Sequence, residues 1–583
     1  MSVIASLVEA YTRFPDTPPF GYSAEQISYV ISLNDDGTVA HVIDLRVENK
    51  KKRIPRKMFV PHSVKRAANI APNFLWDKTS YVLGVTAKET KRTEEEHRAF
   101  VEKHINAIGD STDVGLRAFR LFLENWCPED FIGPVWREEM KDQNVVFALE
   151  NNRLKNIYLH DSDASKSLWK EVSSEGEKKS DICLITGETS NIARLHPSIK
   201  GVWGAQSSGA ALISFNLEAF TSYGHKQGRN APISEASVFA YTTMLNYFLD
   251  RSSHHRFQIG DSSTIFWADA GNKQTAEDAE SLFYTSIDID DLHQEEKIST
   301  NRLQETLARL RRGEPIELVE PELAKGVHFY ILGLSPNAAR LSVRFFYSDN
   351  FCDLIHNYQS FVSDMRIEPP PHEEYPPLWR YLLETAVPRK RENIAPNLAG
   401  EWFRSILTGS SYPLTLLSSV IRRIRADGQV NGLRVGILKA LLIRNFNRKD
   451  VPVALDPDNI NKGYLLGRLF AVYEQIQTAA LGSKVNATIK DKFYGSASAQ
   501  PRKVFPVLDK GSASHLSKIG KEKPGFRIVL EKTVASIMEK MRPDADPFPT
   551  SLAAQDQALF GLGYYHQRSE FFKKAGNTAN PEE

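Results

Sequence analysis

The stretch RIEPPPHEEYPP, residues 366–377, constrains the fold more than any other part of the chain. Proline lacks an amide N–H and fixes φ near about −65°, so Pro369, Pro370, Pro371, Pro376 and Pro377 can continue neither a helix nor a central strand. The segments PLTLLSSVIRRIR, LRVGILKALLIRNF and GYLLGRLFAVYEQIQ beyond it repeat apolar residues every three or four positions, with short Gly/Asp/Pro turns between them. Ahead of it, short alternating runs mix with helical ones. The pattern predicts an α+β fold: a mixed α/β N-terminal region of two subdomains, 1–180 and 181–365, a Pro-rich linker at 366–392, and an all-α C-terminal helical bundle at 393–583.

Within 1–180, ISYVISLNDDGTVAHVIDLRV places two alternating segments around Asp35, Asp36 and Gly37, which is hairpin chemistry, and residues 94–121 form a helical insertion with Phe100, Ile105 and Leu116 on one face. Within 181–365, SEASVFAYTTMLNYFLD predicts a helix capped by Ser234, and FQIGDSSTIFWAD and HFYILGLSPNAARLSVRFFY predict strands. The start, MSVIASLVEAYTRF, is amphipathic and lacks the basic-then-apolar order of a signal peptide, and no run of 18 apolar residues suggests a membrane span. The final KKAGNTANPEE reads as a frayed tail.

With 73 basic and 72 acidic residues, a net charge of +1 gives the molecule as a whole no pull toward nucleic acid, so such binding would have to come from local patches. Cys127, Cys183 and Cys352 show no paired spacing, which argues against disulfides and against a zinc site and fits a reducing cytoplasm.

Local chemistry is sparse. IKGVWGAQSSGAALISFN places Gly204 and Gly209 at P-loop spacing, but Ala210, Ala211 and Leu212 follow instead of Lys and Ser/Thr, which excludes nucleotide hydrolysis. Two uses for the glycines remain open: a tight connection packed on a neighbouring strand, or a backbone that approaches a ligand closely. His254 and His255 are adjacent, point different ways and read as a surface loop. Asp288, Asp290 and Asp291 in IDIDD could offer oxygen ligands to a divalent metal, yet no partner constellation accompanies them. Cys183 in DICLITGE reads as core, and no nucleophile elbow occurs, so no catalytic residue is assigned.

Basic clusters are the remaining signal. Lys50, Lys51, Lys52, Arg53, Arg56 and Lys57, with Lys65 and Arg66 beyond, crowd an early turn among Phe59, Phe74 and Trp76. In the bundle Arg422, Arg423, Arg425, Arg434, Lys439, Arg444, Arg448 and Lys449 recur among the apolar stripes. Either set can be a hydrated surface or a track for a nucleic-acid backbone.

Five stretches taken together, CLITGETSNIARLHPSIKGVWGAQSSGAALISFN, SYGHKQGRNAPISEASVFAYTTMLNYFL, IGDSSTIFWAD, HFYILGLSPNAARLSVRFFY and NKGYLLGRLFAVYEQIQTAALGSKVNATIKDKFYGSASAQP, resemble the large subunit of the type I-C CRISPR Cascade complex, the Csd-type family. The resemblance implies a non-catalytic, cofactor-free cytoplasmic subunit that reads the protospacer-adjacent motif (PAM) on double-stranded target DNA and sits at the crRNA 5′ handle. It implies further that the subunit helps open the duplex, stabilises the R-loop and recruits a helicase-nuclease. Its partners would be Cascade backbone and handle-binding subunits and an internally translated small subunit matching the C-terminal helices, with no membrane involved. On that basis Gly204 and Gly209 admit the main chain to a minor groove while Gln206, Ser207 and Ser208 supply hydrogen bonds or a wedge. Asn73, Lys65, Lys50, Lys52, Arg53 and Lys57 are competing PAM readers, Lys200 is a further PAM/DNA-binding residue, and His225, Lys226, Arg229 and Asn230 are phosphate contacts. Arg422, Arg423, Arg425, Arg434, Lys439 and Arg444 would hold the displaced strand. The alternatives are a metal-dependent nucleic-acid-processing enzyme using Asp288, Asp290 and Asp291, or a purely structural subunit.

Overall fold

The alternation around Asp35, Asp36 and Gly37 folds as a hairpin: β2 (Tyr29–Leu33) pairs antiparallel with β3 (Val39–Asp44), and Gly37 takes φ +84° in the turn. This computed structural model describes all residues except 1, 15–16, 50–51, 65–69, 89–90, 174–179, 288–300, 388, 483–486, 542–545 and 577–583. The chain divides into two compact bodies, Met1–Ile199 with Ile213–Tyr247, and Lys200–Leu212 with Phe248–Glu583.

In the first body the sheet order is β3-β2-β8-β7, where β7 is Trp76–Lys78 and β8 is Asn144–Leu149; β2 runs parallel to β8 and β7 antiparallel to it. Both faces of the sheet are covered. Tyr29, Ile31, Leu33, Val145 and Phe147 meet the helices Lys91–Ile108 and Val114–Asn125 through Phe100, Phe119 and Phe122. Val30, Val146 and Ala148 face Ile27, Met58 and Val60 of the ribbon formed by β1 (Tyr22–Ile27) and β6 (Arg56–Pro61). Strands buried on both sides read as near-continuous apolar runs, and β2, YVISL, is one broken only by Ser32. Two short hairpins complete the body, β4 (Val47–Asn49) with β5 (Lys52–Ile54), and β9 (Ser180–Ile182) with β10 (Thr189–Asn191). Ser234 caps the helix Glu235–Leu249, its Oγ accepting the Ser237 N–H at 3.1 Å.

The second body is built on an antiparallel meander, β11 (Arg256–Ile259), β12 (Ser262–Asp269), β13 (His328–Asn337) and β14 (Arg340–Asn350), followed by helices as far as Gly576. The helices Gly432–Phe446 and Lys462–Leu481 are buried nearly all round, as expected of helices at the centre of a bundle. Glycine allows the closest crossing: a Cβ on Gly467 would stand 2.8 Å from the Tyr564 amide nitrogen of the helix Ala554–Gly576.

The expected boundary at the prolines marks a change of secondary structure inside one core. Phe257 of β11 and Phe345 of β14 each pack edge-on against Phe403 of the helix Pro396–Thr408, with centroids 5.6 and 6.0 Å apart. The Pro-rich strap is itself tied down, Glu368 N–H donating to Val453 C=O at 2.8 Å and Tyr565 Oη to Pro369 C=O at 2.7 Å. Backbone groups bonded in this way cannot serve as a free linker.

Candidate nucleic-acid interface

The glycine-rich loop is two successive β-turns. Ala205 N–H donates to Val202 C=O at 3.1 Å and Gly209 N–H to Gln206 C=O at 2.9 Å. Gly204 occupies the third position of the first turn with φ +76°, and Gly209 closes the second with φ +92°, a left-handed region that L side chains rarely enter. A Cβ on Gly204 would meet only Pro336 Cγ at 3.4 Å, so the sign of φ, and not crowding, demands glycine. Both ends are fastened. Trp203 N–H donates to Ser263 Oγ on β12 at 2.8 Å, Ala211 N–H to Ala339 C=O at 3.1 Å, and Leu341 N–H to Ala211 C=O at 2.9 Å, while Val202 and Ala210 are buried. The tip between these anchors exposes Gln206, Ser207 and Ser208, and Lys200 is exposed ahead of it. It also exposes Trp203, 59% accessible, which the sequence reading passed over. Its signal was there: an indole inside a Gly-rich turn has no apolar stripe to join.

In the first body the 217–231 loop turns on Asn230. Its Oδ1 accepts the Ser222 N–H at 2.8 Å, and its Nδ2 donates to the carbonyls of Gln227 and His225 at 2.9 and 3.1 Å. With both ends of its amide engaged, Asn230 holds the loop together and is corrected from phosphate contact to scaffold. What it holds out is Tyr223, 98% exposed with φ +52°. Lys226 and Arg229 are exposed beside it and His225 is half-buried.

Of the early basic residues, Lys50 and Lys65 lie outside the described residues, and Lys52 has only its backbone described, paired with Asn49 in the β4–β5 hairpin. Arg53 is exposed but bonded to Asp44 at 3.0 Å. Asp44 also receives Arg46 in bidentate fashion, at 2.8 and 2.7 Å; the Arg46 hydrogen bonds, against some burial, hold its carboxyl down at about 2. Arg56 and Lys57 on β6 are exposed. Asn73 is withdrawn, 4% exposed: its Oδ1 accepts the Val64 N–H at 2.9 Å and its own N–H donates to Asp77 Oδ2 at 2.8 Å.

The bundle splits its cations in two. Arg422 and Arg425 on the helix Leu414–Asp427 are exposed, whereas Arg423 pairs with Asp427 at 2.7 Å. Arg434 is wholly buried between Glu384 (2.8 Å) and Asp427 (2.6 Å). Lys439 is buried with Nζ 2.9 Å from Asp364 C=O and 3.4 Å from Ser363 C=O; burial pushes its ammonium down to about 8. Arg444 pairs with Asp364 at 2.7 Å and lies over the Tyr412 ring at 4.4 Å. Lys439 thus satisfies carbonyls at the C-terminal end of the helix Phe351–Met365, and Arg444 holds the Asp364 carboxylate there, where the helix dipole favours cations. These three are corrected from strand contacts to core. Exposed cations the sequence reading did not single out lie further on: Lys503, Lys510, Lys518 and Lys521 on the helix Pro501–Glu522, Lys523 after it and Lys532 on the helix Pro524–Glu539, and residues 501–540 hold nine Lys/Arg against four Asp/Glu.

Two further expectations resolve. Cys183 is buried, and although burial raises its thiol, N–H groups of Ser234, Thr186 and Ile185 outweigh that and draw it down to about 6. His255 is core instead of surface loop, its Nδ1 3.1 Å from Phe266 C=O. Asp288, Asp290 and Asp291 lie outside the described residues. No helix among the described residues is long and apolar enough to cross a membrane.

Compared with known families, the chain matches the model of the CRISPR-associated protein Cas_Csd1 over residues 7–572. No curated protein matches it.

Proposed function

The chain belongs to the Cas_Csd1 family of CRISPR-associated proteins, and from that premise we propose that it is the large subunit of a type I-C Cascade complex, reading the PAM on target DNA, promoting R-loop formation and recruiting the helicase-nuclease without cutting DNA itself. The observation that carries this reading is the anchored double turn of 200–212, which presents Gln206, Ser207, Ser208 and an exposed indole on a fixed backbone. Short polar side chains suit the shallow hydrogen-bond pattern of a minor groove, and an aromatic group beside them suits insertion at a base step. Lys200, Lys226 and Arg229 supply phosphate contacts that fix register without reading sequence, as do Arg53, Arg56 and Lys57. Arg422 and Arg425, joined by the lysines of 503–532, form the track for the displaced strand. The crRNA 5′ handle, the Cascade backbone and handle-binding subunits and an internally translated small subunit are its partners in the cytoplasm.

The test uses the assembled complex on matched duplexes that differ only in the flanking motif. Replacing Gln206, Ser207 and Ser208 together by Ala, or Trp203 by Ala, is expected to shrink the affinity ratio between PAM-bearing and PAM-less targets. Each lost specific contact should remove about 1–3 kcal/mol of discrimination. An undiminished ratio in both variants rules out this loop as the reader. Metal-dependent cutting by the purified chain with Mg²⁺ or Mn²⁺ would overturn the non-catalytic assignment.

A further inference from the structure

Cys352 and His356 stand one turn apart on the helix Phe351–Met365, so their side chains share a face. Glu317, from the short helix Ile316–Val319, brings a carboxylate to that face. Its Oε1 lies 3.4 Å from Cys352 Sγ and 3.4 Å from His356 Nε2, and Sγ lies 3.9 Å from His356 Nδ1. One donor atom from each residue falls within 4.8 Å of the others. Zinc bonds of about 2.3 Å to sulfur and about 2.0–2.2 Å to nitrogen or oxygen span tetrahedral edges of about 3.3–3.6 Å. Two edges of one face of such a tetrahedron, Glu317–Cys352 and Glu317–His356 Nε2, already have that length, and the cluster as a whole closes within 4.8 Å.

We propose that Glu317, Cys352 and His356 form a binding site for a zinc ion, with water in the fourth position. This is independent of the DNA-reading role proposed above. The donor set selects the metal: one thiolate, one imidazole and one carboxylate suit borderline Zn²⁺ and are too few in oxygen for Mg²⁺ or Ca²⁺. Charge also balances, since thiolate and carboxylate together neutralise the ion. On binding, the S–H bond breaks, the sulfur pair forms the Zn–S bond and the proton leaves to solvent. A Cys–His nucleophile assisted by Glu is the poorer fit, because such an acid holds the far side of the histidine, whereas here the same carboxylate oxygen also accepts from the thiol. Glu317 and His356 are about half exposed, which gives the ion an entry path. The site would clip the 316–319 helix to the first turn of 351–365, closing a long excursion of the chain.

The experiment uses the full chain, stripped with a chelator and titrated with Co²⁺ and Zn²⁺. A thiolate-to-cobalt charge-transfer band saturating at one equivalent, displaced by Zn²⁺, is expected. Cys352→Ser should abolish it, and His356→Ala and Glu317→Gln should each weaken binding at least about tenfold. Cys127→Ser, which alters the exposed cysteine elsewhere, should leave it unchanged. In parallel, Zn²⁺ should slow alkylation of Cys352 but not of Cys127. No band in the wild-type chain, a band that survives Cys352→Ser, or one lost in Cys127→Ser overturns the proposal. Unchanged thermal unfolding of stripped Cys352→Ser relative to stripped wild type certifies that a lost band reports ligation and not misfolding.

Discussion

Arg434→Met separates positive charge that holds the bundle together from positive charge that could hold DNA. The Arg434 guanidinium donates to Glu384 at 2.8 Å, to both carboxylate oxygens of Asp427 at 2.6 and 2.8 Å and to Gln429 C=O at 2.8 Å. Methionine keeps much of the apolar stem but strands two carboxylates, and breaking a buried pair from one side costs about 3–5 kcal/mol. Asp427 is 24% exposed and keeps Arg423, and Glu384 keeps Arg389 at 3.2 Å, so the loss should fall near the lower end, about 3 kcal/mol. For a body of this size that lowers the unfolding midpoint by on the order of 5 °C. The acid limb should change with it. Burial alone would raise the Asp427 carboxyl, but the Arg434 hydrogen bonds, the Gln429 N–H and neighbouring charges outweigh it and hold it at about 2, below the usual 3.8. A depressed carboxyl stabilises fully above pH about 4, and the contribution fades as pH falls through about 2, so Arg434→Met should flatten the unfolding profile in that window. In DNA binding the same variant should keep the wild-type salt slope, because no phosphate can reach a buried guanidinium. Arg422→Gln with Arg425→Gln should do the opposite, leaving stability within about 0.5 kcal/mol and reducing the slope by about 0.7 for each lost single-strand contact. Calorimetry and a salt series on the assembled complex read both quantities. A wild-type midpoint in Arg434→Met, or a reduced slope there with none in the Arg422/Arg425 variant, would refute the division.

Three other perturbations follow from the same geometry. Burial drives the Glu280 carboxyl up to about 8 against the Ala268 N–H it accepts, and burial holds His255, 3.9 Å away, down at about 4. The raised carboxyl makes stability fall as pH climbs from about 4.5 to 8, while the lowered imidazole makes it rise between about 4 and 6.5; of this pair only the carboxyl acts above that, so Glu280→Gln should remove its downward contribution between pH 6.5 and 8 and raise the midpoint at pH 8. Gly467→Ala drives a methyl into backbone of the Ala554–Gly576 helix and should cost about 1–3 kcal/mol or more in thermal unfolding, where a wild-type midpoint would contradict the close crossing. Asn230→Ala removes the three hydrogen bonds that hold out Tyr223 and should increase proteolytic cleavage within 217–231 while leaving net charge unchanged; unaltered cleavage would show that the loop holds its shape without them.

How far each feature was legible depended on whether its cause was local. The Asp35, Asp36, Gly37 hairpin, the Ser234 cap and the four meander strands follow from turn chemistry and from 2- and 3.6-residue periods, which neighbouring residues carry by themselves. The prolines at 369–371 were equally visible, but sequence could not show that Val453 and Tyr565, far along the chain, bond the strap and carry the core past it. The candidate site shows the same limit. Gly204 and Gly209 signal a turn from sequence alone, yet the exposure of Trp203 depends on Ser263 and Ala339 fastening the loop ends. Arg422 and Arg434 look alike in a helical stripe; one is exposed and the other buried because Glu384 and Asp427 happen to meet it. Cysteine spacing could not reveal the Glu317, Cys352 and His356 cluster for the same reason, since Cys352 finds its carboxylate partner 35 residues away. Charges are therefore sorted by tertiary partners, and a basic stripe stays open to a partner only where the fold leaves cations exposed, as it leaves Lys503, Lys510, Lys518, Lys521 and Lys532.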